Sequence, residues 1–172
     1  TTTAGGGNGN QTYTGAVTLQ QNTTLDSTGG TVTFDSTVDG GFSLTITGNA
    51  QFGGTGTGAG DFVGATAALT SVTVTDDSTF NTAGDSATDA TIRTSGLQTY
   101  GNALGDTVTL NADVVLASTG EGTIGFSGNI LSGTQNAHGL TVNTGGLTQF
   151  QGATVGPNPN ELQFLITDDP DA

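Results

Sequence analysis

Along the chain one three-residue pattern keeps returning: an apolar residue, a threonine, an apolar residue. It stands at Val17-Thr18-Leu19, Leu44-Thr45-Ile46, Val72-Thr73-Val74, Val108-Thr109-Leu110 and Leu140-Thr141-Val142. The central threonines follow one another at 27, 28, 36 and 32 residues. Three residues beyond each triplet comes a turn former: Asn22, Asn49, Asp77, Asp113 or Gly145. Six residues beyond the first four triplets sits a second apolar anchor, at Leu25, Phe52, Phe80 and Leu116, and in the fifth Phe150 arrives after eight. A third apolar site follows at Val32/Phe34, Phe62/Val63, Ile92 and Ile124/Phe126.

Alternation with period two places both apolar residues of a triplet on one side of a strand and the β-branched threonine on the other. Asn, Asp and Gly tolerate the left-handed backbone that a change of direction needs. Repeats of this length hold three short strands and no helical pattern for a crossover. Coiling the chain so that equivalent strands of successive coils pair in parallel satisfies both facts. The pattern therefore predicts an all-β, right-handed parallel β-helix (a β-solenoid) of about five three-stranded coils. A β-sandwich competes, since it too strings short strands at regular spacing. The fixed six-residue step between anchors speaks against it.

A longer repeat contains the short one. Gln11-Thr12-Tyr13 recurs as Gln98-Thr99-Tyr100, and Leu19, Leu25, Phe34, Leu44 and Phe52 correspond in order to Leu110, Leu116, Phe126, Leu140 and Phe150. The offset of these landmarks drifts from 91 to 98 residues, as in a duplication with a few inserted loop residues. Three segments result: a Gly-rich lead-in over 1–10, the repeats over 11–155, and a tail over 156–172. In the tail, Gly156-Pro157-Asn158-Pro159-Asn160 breaks the pattern ahead of a strand over Glu161–Thr167. Leu162, Phe164, Leu165 and Ile166 make it the densest apolar stretch of the chain. Two roles are open to it: closing the core, or covering a coil edge, its own or a neighbour's.

Composition alone leaves order in question. Of 172 residues, 36 are Thr and 30 are Gly, while Leu, Ile, Val and Phe total only 37. That apolar content lies near the level at which acidic chains stay disordered. The repeats resolve the question, because a thin coil needs few inward side chains.

Charge changes the picture further. The net charge is −14, with one Arg (Arg93), one His (His138) and no Cys, Met or Trp. Such acidity removes the electrostatic attraction that nucleic-acid binding depends on and repels anionic membrane surfaces. No apolar run reaches the ~20 residues of a membrane-spanning helix. Thr1 opens no charged, apolar, small-residue leader, so an export signal is expected to have been removed already. Without Cys there is neither a disulfide framework nor a thiolate metal site.

Gln11 to Leu19, followed by Thr31-Val32-Thr33-Phe34-Asp35-Ser36-Thr37-Val38-Asp39-Gly40, resembles the repeats of large secreted bacterial surface proteins. These are the filamentous-haemagglutinin-like and autotransporter-type adhesins. Gln98 to Gly128 is a looser copy, with Gly101 to Asp106 inserted before its threonine triplet. The resemblance covers residues 8–155. It implies a right-handed β-helix, an extracellular or cell-surface location, and a structural or adhesive role, with a surface glycan as one kind of ligand. The secretion domain and translocator of that family have no counterpart here.

Candidate chemistry is sparse. Polysaccharide-degrading β-helices need a base or several carboxylates around the scissile bond, whereas Arg93 and His138 stand 45 residues apart. The expectation is a protein that is not an enzyme, with Arg93 solvated and His138 in a loop. A structural Ca2+ is the one cofactor the acids suggest, at Asp76-Asp77, Asp85 with Asp89, or Asp168-Asp169-Asp171. None of these matches a known calcium loop, and solvated acids are the plainer reading. The five central threonines, Thr18, Thr45, Thr73, Thr109 and Thr141, are expected to form one outward column. Ice binding would need a second column two residues on, and only Thr47 and Thr75 supply it. Leu162, Phe164, Leu165 and Ile166 are the expected contacts of a homopolymer built by end-to-end stacking.

Overall fold

A computed structural model describes residues 9–54, 62–84, 89–152 and 154–167. The early strands are β1 (Gln11–Tyr13), β2 (Val17–Thr18), β3 (Thr23–Phe34), β4 (Val38–Asp39) and β5 (Ser43–Phe52). The middle of the chain adds β6 (Ser71–Val74), β7 (Ser78–Phe80), β8 (Ile92–Thr94), β9 (Gln98–Tyr100), β10 (Thr107–Leu110) and β11 (Val114–Ser118). The last are β12 (Ile124–Phe126), β13 (Asn129–Ser132), β14 (Leu140–Thr144), β15 (Thr148–Phe150) and β16 (Leu165–Thr167). No helix occurs among the described residues. Every strand pairing is parallel, which removes the sandwich.

The register sorts the strands into three faces. Face one runs from the first half of β3 through the first half of β5 to β6, β9, β12 and β15. Face two runs from β1 through the second halves of β3 and β5 to β7, β10 and β13. Face three runs from β2 and β4 through the bridging Val63 to β8, β11, β14 and β16. The chain visits the faces in the order three, one, two. The whole is a β-solenoid of about six turns, one more than the triplets suggest. On face three the column Val17, Val38, Val63, Ile92, Leu116, Val142 and Thr167 shows turns of 21 to 29 residues.

Inward positions build the core and outward ones meet solvent. In β5, Leu44, Ile46, Ala50 and Phe52 are buried while Thr45, Thr47, Asn49 and Gln51 are half-exposed. Aromatic rings stack along the axis: Tyr13 on Phe34, Phe34 on Phe52 and Phe52 on Phe80, at 5.2, 6.1 and 5.2 Å between centroids. Tyr100, Phe126 and Phe150 continue the series at 5.6 and 5.4 Å. Each such contact adds ~0.5–1.5 kcal/mol to ordinary burial.

The two halves of that stack occupy different faces. Tyr13 to Phe80 lie on face two, whereas Tyr100 to Phe150 lie on face one. Phe80 and Tyr100 meet across the corner edge to face, at 5.6 Å and 73°. The duplicated segment is thus real but rotated by one face. From β1 to β9 the chain takes eleven steps from face to face, three turns and two-thirds of a fourth. Every landmark of the second copy is displaced in the same sense: Leu25 on face one corresponds to Leu116 on face three, and Phe34 on face two to Phe126 on face one.

Side chains at the corners carry the inter-turn bonding where strands stop. Asn22 Oδ1 accepts the Ser43 amide (3.1 Å), and Asn49 Oδ1 accepts that of Asp77 (3.1 Å). Asp113 Oδ1 accepts from Gly139 (2.9 Å), and Asp77 Oδ1 accepts both the amide (2.7 Å) and the hydroxyl (3.0 Å) of Thr107. In each case the oxygen belongs to one turn and the amide to the next. These turn formers satisfy backbone donors that bending would otherwise leave unpaired. At the corner of faces one and two, Gly48 adopts φ 117°, and a Cβ there would collide with the Ser27 carbonyl of the preceding turn.

Candidate interaction site at the ends of the solenoid

The five threonines expected in one column do not share one. Thr45 pairs with Thr73 on face one, but Thr109 pairs with Thr79 on face two. Thr18 pairs with Asp39, and Thr141 with Val115 and Ile166, both on face three. Every face carries an apolar–threonine–apolar strand, so equal spacing does not mean equal position. The column that does form is Thr24, Thr45, Thr73 and Thr99, continued by Gly125 and Gln149.

Several of the described acids bind backbone amides. Asp39 Oδ1 accepts the amides of Thr66 and Ala67, and Asp106 Oδ2 those of Asn102 and Ala103. No group of three metal-binding side chains occurs among the described residues. Asp85, Asp168, Asp169 and Asp171, like residues 1–8 of the lead-in, lie outside them.

Arg93 is not a free solvated side chain. From β8 its Nε donates to Gly64 O (2.9 Å) and its Nη2 to Ala65 O (2.6 Å), clamping the turn before. His138 precedes β14, and its carbonyl accepts the Gln163 amide (2.9 Å). The register sets Arg93 beside Ala117 and Ala117 beside Asn143, so two turns separate Arg93 from β14. These two residues do not form one site.

The Gln-Thr-Tyr triplets serve a structural device that spacing did not reveal. Tyr100 is fully buried, and its hydroxyl donates to Gln98 Oε1 (2.9 Å). Gln98 Nε2 donates in turn to Ala117 O (2.8 Å) and Thr94 Oγ1 (3.1 Å). Tyr13 and Gln11 repeat the arrangement: the hydroxyl bonds Gln11 Oε1 (3.1 Å) and Gln11 Nε2 bonds Asp26 O (2.7 Å). Burial raises both phenols above their ordinary range, Tyr100 the further. The difference between the pairs lies in what covers them. β9 is overlaid by β6, whereas β1 is the first strand of its face among the described residues.

Beside that first turn the described residues line a recess that reaches the core. A cavity of about 540 Å³ is lined by Tyr13, Val17, Leu19, Leu25, Phe34 and Leu44, with Thr18, Gln20, Gln21 and Thr23 at its rim. No charged side chain lines it. At the opposite end, β16 pairs with β14 as the last strand of face three among the described residues. Leu162 packs against the core and the Phe164 ring lies over Gly139. Leu165 and Ile166 are exposed, at 40% and 42%. The expected assembly residues therefore divide into two that hold the tail down and two that it displays. Comparison of the chain with protein-family models, with curated proteins and with solved structures finds no match.

Proposed function

We propose that this chain is a non-enzymatic structural module, a rod of the kind that gives large bacterial surface adhesins their reach. The observation that supports this is the joint between the two sequence copies. β6 pairs with β9 and Phe80 meets Tyr100 without a gap in ladder or core. Such an architecture lengthens by adding turns, each resting only on its neighbours. Extracellular location and a surface-glycan ligand follow from the sequence resemblance and belong to this reading.

Six turns at about 4.8 Å each give a rod of roughly 30 Å. Electron microscopy and small-angle scattering of the purified chain should show that rod, and a panel of cell-surface glycans should show binding without product. Release of reducing ends from any polysaccharide overturns the non-enzymatic reading. Ice binding is a second reading, motivated by the column Thr24, Thr45, Thr73 and Thr99. Its neighbouring column begins with Asp26 beside Thr47, and the Thr75 hydroxyl accepts the Gly48 amide (2.9 Å). Thermal hysteresis should accordingly be absent.

A further inference from the structure

We draw no further inference here: the strongest candidate, the row of exposed apolar side chains Phe42, Leu97 and Leu147 at the corner where the chain passes from face three to face one, carries nothing, because nothing in the structure shows what covers it.

Discussion

The hydroxyl of Tyr100 donates to Oε1 of Gln98 across 2.9 Å, with both side chains fully buried. The two residues are neighbours on the inward side of one strand, so the sequence spacing of two creates the partner at no cost in register. A tyrosine can then stand in a column otherwise filled by phenylalanine and aliphatic residues.

Replacing Gln98 with Leu removes the acceptor of that hydroxyl and the donor to Ala117 O. The loss should be about 2 kcal/mol, because a buried polar group left unpaired costs ~1–3 kcal/mol. Adding Tyr100→Phe removes the orphaned hydroxyl and should restore about 1 kcal/mol. Urea unfolding of the single and double variants measures the coupling. Strictly additive losses would show that the bond contributes nothing.

The same burial makes stability sensitive to alkali. The Tyr100 phenol is held well above its usual value of 10.0, and that of Tyr13 above it to a lesser degree. A folded-state value above the unfolded one means full stabilisation below the unfolded value, lost as pH climbs toward the folded one. The unfolding midpoint should therefore fall once pH exceeds 10.0, and Tyr100→Phe should flatten the fall. Phenolate absorbance should show Tyr13 ionising in the folded chain and Tyr100 only as the chain opens.

Two glycines should respond oppositely. Gly48→Ala places a side chain at φ 117° and against the Ser27 carbonyl, so it should cost about 2–3 kcal/mol. Gly125 stands outward in the threonine column with open space where a Cβ would lie. Gly125→Thr should stabilise by about 0.5–1 kcal/mol, since glycine weakens a strand and threonine suits one. Thermal unfolding of both variants decides the matter.

Asp77 should matter as an acceptor. Asp77→Ala leaves the Thr107 amide without its side-chain partner and should cost about 1–2 kcal/mol. Asp77→Asn keeps an oxygen in place and should cost less than half as much. Hydrogen exchange at the Thr107 amide reads the bond directly: faster exchange in the Ala variant alone is the expected result.

What the sequence makes legible here is chemistry, and what it conceals is position. Val72-Thr73-Val74 and Val108-Thr109-Leu110 read alike because each has one side in the core, yet they lie on faces one and two. Period two distinguishes inside from outside and is silent on which of three equivalent faces a strand joins. Long excursions such as that between Phe52 and Ser71 change the spacing without changing the register. The clearer signal was the order of rings: Tyr13, Phe34, Phe52 and Phe80, then Tyr100, Phe126 and Phe150, mark the turns one by one. The grip of Arg93 on Gly64 and Ala65 left no trace, since its partners are carbonyls that any residue would supply.

Eleven steps between Gln11 and Gln98 do not divide by three, and this has a consequence for any longer array of the same unit. A residue fixed within the unit returns to its original side only with the fourth copy, after eleven turns, on the order of 50 Å along the axis. Features that recur once per copy would wind around the rod like the thread of a screw. Such a shaft would offer the same grip to a ligand approaching from any direction.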